Sequence, residues 1–268
     1  MPECFPRVEM VRHTAQSEEL IALGARLCYA GGDVDELSRL VSKSDQQAFL
    51  RKIMEMGHES VLEHVSFTFL AEGVSRTLLA QLTRHRIASF SVQSQRYVSY
   101  DKGFGYIIPP SVKALGTQAV ADYEDQMAQM QQWYEEWQRR LAGGGEGTSN
   151  EDARFILPGA CETRVLMTMN ARELRHFFAL RMCRRAQWEI RAMAAMMFEQ
   201  CYRQAPVLFE DAGPGCLRHS CPEGKKTCGL SGEMRRVRRD WIENSAKAAP
   251  GQVSSGVDAG LRNQEERR

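Results

Sequence analysis

Apolar and polar positions recur with two different periods along this chain, and the periods divide it into helices and strands. Residues 7–12 read as a short strand. Leu20, Ile21, Leu23 and Leu27 then recur at helical spacing, predicting a helix from about Ser17 to Tyr29 with that set buried and Gly31-Gly32 ending it. Ser44 stands as an N-cap with Gln47 three residues on, so a second helix is expected to about Met56, stopped by Gly57. Val65 to Leu70 alternates as a strand does, and Ser75 to Thr83 reads as a helix carried on towards Arg84. Gln93 to Val98 reads as extended, which would put Ser94 and Arg96 on one side. A long helix over 112–141 is rich in Gln, Glu and Asp and should be largely exposed, with Gly143-Gly144-Gly145 breaking it as a loop. Thr163 to Met169 is the next strand. Asn170 then opens a helix with Glu173 in the N3 place of a capping box. On that helix Leu174, Phe177 and Phe178 form an apolar stripe, and Arg181 continues it.

Composition adds limits. Hydrophobic content of 43% and charged content of 26% over 268 residues are those of a soluble globular chain. A net charge of +1 provides no global field for a polyanion, so any anion binding must be local. Glu3, Arg7, Glu9 and Arg12 stand where a signal peptide needs an apolar run, and no stretch is long enough to cross a membrane; a cytoplasmic protein is expected. Cys4, Cys28, Cys161, Cys183 and Cys201 are scattered and mostly within apolar segments, as buried free thiols are. Cys216, Cys221 and Cys228, with His219 between them, could hold zinc, but they lack a paired C-x-x-C, and no metal is assigned. His58 and His64 fit no zinc-helix motif and read as polar residues lining a turn. Beyond Pro206 little remains to bury: 213–230 is rich in Gly, Pro and Cys, and the basic run at 233–239 reads as a solvated face.

Local anion binding has one strong candidate. Arg84 to Tyr97 packs three arginines, a histidine, three serines and two glutamines into fourteen residues, with no Asp, Glu or Lys among them. Guanidinium groups are always charged and match planar oxyanions in two-pronged fashion. Donors without neighbouring carboxylates imply a bound anion, a surface basic patch or salt bridges between subunits. On a helix, Arg84, His85 and Arg86 would fan out by about 100° each and so meet more than one ligand, or several parts of a large one. Arg181 poses a related question, because an arginine on a core-facing stripe is costly without an acceptor. Glu162 or Glu189 could supply one; otherwise Arg181 lines a ligand pocket. Arginines beside Phe90 and Tyr97 would also suit a nucleic-acid-binding module, a reading that the near-zero net charge opposes.

The run Arg-His-Arg, two spacers, Ser, four spacers, Ser, one spacer, Arg resembles the signature of the flavin-dependent thymidylate synthases. Arg84, His85, Arg86, Ser89, Ser94 and Arg96 meet every fixed position. The resemblance runs from about residue 7 to 210. It takes in Gly57-His58 with the hydroxyl of Ser60, Glu63-His64 before a strand, Arg154 ahead of Leu157-Pro158, Asn170-Ala171-Arg172 and Arg181. Gln187 to Arg191 also resembles the family and is expected mainly to pack.

The resemblance implies an α+β fold: a single complex domain with a small antiparallel sheet flanked by long helices, assembled as a homotetramer with active sites where subunits meet. The catalytic domain would span 1–212, followed by a Cys-containing, partly disordered basic tail over 213–268. The implied activity is reductive methylation of dUMP to dTMP, with 5,10-methylenetetrahydrofolate as carbon donor, FAD as redox cofactor and NADPH as reductant. No nucleic acid or membrane partner is implied. By the same resemblance Gln81, Arg84, Gln93, Ser94, Gln95 and Arg96 should hold dUMP, together with Arg154 and Arg181. His58, Ser60 and Arg84, His85, Arg86 and Ile87 should meet FAD, as should Asn170, Arg172 and His176. Arg181 is the implied catalytic residue, and Ser94 an anchoring hydroxyl rather than a nucleophile. This chain departs from many members at Ser91 and Val92, where Asn and Glu are common, and at His176, where others have Asn. A nucleotide-binding flavoprotein without synthase activity is the remaining alternative, disfavoured by Arg181 standing with the complete signature.

Overall fold

The computed structural model describes residues 1–29, 45–144 and 148–247, together with 31, 33, 35, 36 and 39. Strands β1 (Arg7–His13), β2 (Ser66–Ser75), β3 (Ala88–Val92) and β4 (Glu162–Asn170) form one small antiparallel sheet in the order β1-β2-β4-β3. The mixed helix-and-sheet class is as expected. Register between β2 and β4 is visible in their side chains: Thr68 and Thr168 share a hydroxyl hydrogen bond of 2.9 Å, and Glu72 stands 3.8 Å from Arg164. Alternate residues of β4, from Thr163 through Val165 and Met167 to Met169, are buried, so one sheet face is apolar. The chain divides into two compact units, Met1–Glu9 with Phe69–Met167, and Met10–Thr68 with Thr168 onward. Among the described residues no helix is long and apolar enough to cross a membrane.

In the first unit, Tyr100, Phe104, Tyr106 and Ile108 pack with Met127 and Tyr134 in one apolar cluster. The helix expected over 112–141 is two helices, α4 (Pro110–Lys113) and α5 (Thr117–Leu141), because Gly116 at φ 103° turns the chain in a way helical geometry excludes. (The labels α1 and α2 belong to Ser17–Leu27 and Gln46–Glu55, and α3 to Arg76–Leu82.) Only Met127, Gln131 and Tyr134 of α5 are buried, in line with its polar composition. Residues 142–144 make a short 3₁₀ turn before α6 (Thr148–Ala153); Gly145 lies outside the described residues. Gly73 has φ 66°, and a Cβ there would stand 2.0 Å from the Phe5 carbonyl oxygen. Gly73→Ala should therefore strain the backbone and push the N-terminal segment away, costing about 2–4 kcal/mol, read as a lowered midpoint in urea unfolding. A midpoint unchanged from the parent would refute the close approach.

The second unit holds α1 and α2, with α7 (Ala171–Arg181), α8 (Trp188–Gln204), α9 (Pro206–Phe209) and α10 (Ser231–Lys247). The buried face of α1 is Ser17, Ile21, Ala22 and Ala25, whereas Leu27 is exposed. Leu20 and Leu23, expected on the same face, are half-buried beside it. The expected Ser44 cap and Gly32 lie outside the described residues; α2 is capped by Asp45, whose carboxylate accepts from the Ala48 amide at 3.0 Å. Phe178 sits edge-to-face with Phe198 and Phe209, and Phe67 with Phe209, at ring distances of 5.3–5.9 Å. The basic run is not wholly solvated. Arg238 of α10 stacks 4.1 Å from the Phe198 ring and donates to the Phe209 and Glu210 carbonyls at 2.7 and 2.8 Å. Burial lowers its guanidinium to about 10, so it stays charged at neutral pH.

Candidate active site

The signature follows a short, well-anchored helix. Ser75 caps α3 by accepting from the Leu78 amide at 3.0 Å, and Leu78, Leu79 and Leu82 bury its inner face. The next positions on that face would be His85 and Arg86, so apolar anchoring stops at Leu82. Thr83 closes the helix, its hydroxyl donating to the Leu79 carbonyl at 2.8 Å. Arg84, His85 and Arg86 therefore lie in the turn after the helix rather than on it. Arg84, Arg86 and Ile87 are exposed while His85 is buried between them. Gln81 is half-buried one turn earlier on α3.

The stretch Gln93 to Val98 is a turn, not a strand. The Ser94 hydroxyl accepts from the Arg96 amide at 3.2 Å, and the Val98 amide donates to the Ser94 carbonyl at 3.1 Å. Serine competes in this way for backbone donors that a strand would need. The extended residues are instead β3, immediately before. Arg76 braces the loop from below, donating to the Gln93 carbonyl at 3.1 Å and the Thr163 hydroxyl at 3.2 Å. Gln95 is buried and its amide donates to the Cys161 sulfur at 3.6 Å. Burial pushes the Cys161 thiol up to about 11, so it is neutral at physiological pH. Among the described residues, the Gln93 side-chain oxygen is buried without a hydrogen-bond partner.

Arg96 has a carboxylate partner: Glu151 of α6, at 2.9 Å. The main-chain carbonyl of that same Glu151 accepts from Arg154 at 2.9 Å. Two arginines expected at the substrate thus meet around Glu151, three residues before Arg154 but distant along the chain from Arg96. All the expected dUMP residues except Arg181 belong to the first unit.

Arg181 and most of the expected flavin residues belong to the second unit. Asn170 caps α7 as expected, accepting from the Glu173 amide at 2.8 Å. Arg172 projects from the first turn of α7 and pairs with Glu63, with Glu59 at 4.0 Å. His58 and Ser60 flank the start of the 3₁₀ turn Glu59–His64. A cavity of about 330 Å³ brings His58, Ser60 and Arg172 together against Ala25, Ile53 and Val61. His176 is exposed on α7, and Arg181 is its last, half-buried residue, following fully buried Leu174, Phe177 and Phe178. Glu162 accepts from the Gly73 amide at 3.0 Å. The carboxylates at 59 and 63 were missed as partners of Arg172. Their spacing of one helical turn was the available signal.

Comparison with known proteins identifies the family. A family model described as thymidylate synthase complementing protein matches residues 9–207. A flavin-dependent thymidylate synthase of Geobacter sulfurreducens is 50% identical over 235 residues, covering 87% of this chain and 98% of the relative. Another, from Clostridium tetani, is 43% identical over 86% of this chain and 96% of its own length. Among solved structures, the UMP/dUMP methylase PolB from Streptomyces cacaoi, bound with 5-Br dUMP, superposes with a TM-score of 0.63 at 25% identity, covering 78% of this chain and 94% of that one. With the signature complete and a match over most of the chain, this protein belongs to the thymidylate synthase complementing protein family, that of the flavin-dependent thymidylate synthases.

Proposed function

We propose that this protein is a flavin-dependent thymidylate synthase that methylates dUMP to dTMP. The observation that carries the reading is the complete signature mounted on the turn after α3, with Arg84 and Arg86 presented outward and the 93–97 loop held by Arg76 and Cys161. Gln81, Arg84, Gln93, Ser94, Gln95 and Arg96 would bind the nucleotide with Arg154 and Arg181. The buried, unpartnered oxygen of Gln93 suits a ring N–H of a pyrimidine.

The lining of the cavity in the second unit supports flavin binding there, with Glu59 beside the donors as a carboxylate acceptor. Ala25, Ile53 and Val61 offer an apolar wall for a planar ring, and Ser60, His58 and Arg172 offer donors for polar edges or phosphate. Asn170, His176 and Arg84 through Ile87 would complete the flavin contacts. A bound flavin supplies the hydride chemistry, which amino-acid side chains cannot. The protein's own part is positioning and electrostatics. Arg172 would exchange its Glu63 partner for an anionic ligand group. Arg181, charged at every physiological pH, would stabilise negative charge developing on the pyrimidine. Methylenetetrahydrofolate as carbon donor, NADPH as reductant, a cytoplasmic location and a homotetramer with shared active sites belong to the same proposal. The catalytic domain would be 1–212.

The test is anaerobic spectroscopy of purified protein. Bound flavin should bleach on addition of NADPH, and dTMP should form once dUMP and methylenetetrahydrofolate are present. A colourless protein that takes up no added FAD would overturn the reading.

A further inference from the structure

Four thiols that the proposed activity does not use are carried by segments that contact one another in the second unit. Cys183 lies in the turn between α7 and α8, and Cys216, Cys221 and Cys228 lie in the irregular segment between α9 and α10. Side chains tie these segments together. Arg185, two residues after Cys183, donates to the Lys226 carbonyl at 2.8 Å and pairs with Glu223 at 3.5 Å, both of them between Cys221 and Cys228. Gly215 packs so close to the Pro222 ring that a Cβ would stand 3.2 Å from it, which sets Cys216 beside Cys221. From α10, Arg235 donates to the carbonyls of Cys216 at 3.1 Å and His219 at 3.4 Å. All four cysteines are free of disulfides.

We propose that Cys183, Cys216, Cys221 and Cys228 bind one Zn²⁺ as a structural tetrathiolate site. Cys183 is the donor that spacing along the sequence could not supply, because it comes from a different segment. Zinc is the ion such a soft, all-sulfur set selects. Coordination replaces four S–H bonds by four Zn–S bonds and releases the protons to solvent; no electron changes hands. The resulting centre has two negative charges in excess, and Arg185 and Arg235 already contact its loops while Lys225 and Lys226 lie within them.

The segment has reason to need an ion. Between α9 and α10 it contains only short 3₁₀ turns at Gly215–Leu217 and Gly224–Lys226, and it buries little apolar surface beyond Ala212, Pro214 and Cys216. Irregular segments with so small a core are commonly held by a metal or disulfides. Among the described residues no three metal-ligating side chains yet surround a common centre. The ion would thus draw the last turns inward, coupling its binding to local folding. Cys183 is two residues beyond Arg181, so the site would also anchor the end of α7.

Elemental mass spectrometry of full-length protein, purified without chelator and then passed through EDTA, should find about one zinc per chain. Cys183→Ser/Cys228→Ser should reduce this to about a tenth or less, while Cys28→Ser, at an exposed thiol outside the cluster, should retain it. Should the double variant fail to fold, the parent protein carries the test. A mercurial thiol reagent should release zinc to a chromogenic chelator, and Co²⁺ reloading should produce thiolate charge-transfer absorption. Metal-free protein whose four thiols titrate freely would overturn the site, as would a disulfide among them. Metal content is read without turnover, so this proposal and the synthase reading stand or fall separately.

Discussion

Arg181→Ala is expected to lower the rate of dTMP formation by about 10²–10³-fold or more while FAD stays bound. The size of the effect follows from the role proposed. A fixed cation beside a pyrimidine acts most strongly where negative charge develops, so its loss should fall on kcat rather than on substrate affinity alone. Retention of flavin follows from the position of the residue. Arg181 is at the end of α7, whereas Asn170 and Arg172 are at its start, and Leu174, Phe177 and Phe178 anchor the helix between them in the core. Truncating the last side chain leaves that anchor intact. Arg181→Lys should recover only part of the activity, because a compact ammonium lacks the planar fork. The checks are single-turnover dTMP formation and the visible flavin spectrum of each variant. Colourless Arg181→Ala, or turnover equal to the parent, would count against the role.

The second large effect is on stability. Arg175 is 4% exposed and grips Asp211 with two hydrogen bonds of 2.6 and 3.0 Å, while also donating to the Leu208 carbonyl at 2.6 Å. Glu59 stands 3.8 Å away. Arg175→Met removes the cation and leaves these acceptors facing a thioether, which should cost about 3 kcal/mol. The figure is at the low end for a broken buried pair because the Asp211 side chain is 40% exposed and can recruit water. In a chain of this size that lowers Tm by roughly 6–12 °C. Arg175→Met combined with Asp211→Leu should recover much of the loss, since no uncompensated group then remains.

The pH dependence has a definite sign. Burial pushes the Asp211 carboxyl up, but the hydrogen bonds and charge of Arg175 outweigh it and hold the group below its ordinary 3.8. A carboxyl lowered on folding contributes stability that is fully present above its unfolded value and is lost as pH falls through the folded one. The parent's advantage over Arg175→Met should therefore be constant near neutrality and shrink below about pH 4. Urea unfolding of both proteins over that range checks it. An advantage that persisted undiminished in acid would assign the stabilisation to packing rather than to the ion pair.

Much of the framework was legible in the residues because it is local. The Asn170 cap, the Leu174-Phe177-Phe178 face and the strand over 163–169 each follow from spacing within a few residues, and each is present. The signature motif was legible for the same reason, and it identified the family. Local conformation failed where neighbours competed for the same backbone groups. Ser94 closed a turn where alternation suggested a strand, and Gly116 broke a helix that its composition would have carried through.

What only the tertiary structure decided are pairings between residues far apart in the chain. Glu151 beside Arg96, Asp211 beside Arg175, and the turn of Cys183 against the segment of the later cysteines depend on which loops the sheet and helices bring together. A charge or a thiol in a sequence carries no mark of its partner. Coulomb attraction and sulfur coordination act over a few ångströms of space, whatever the distance along the chain. The sequence by itself determined the elements, the family and the residue types available for chemistry. The fold determined which acidic groups neutralise the arginines and which distant segments meet, because only packing converts residue type into proximity.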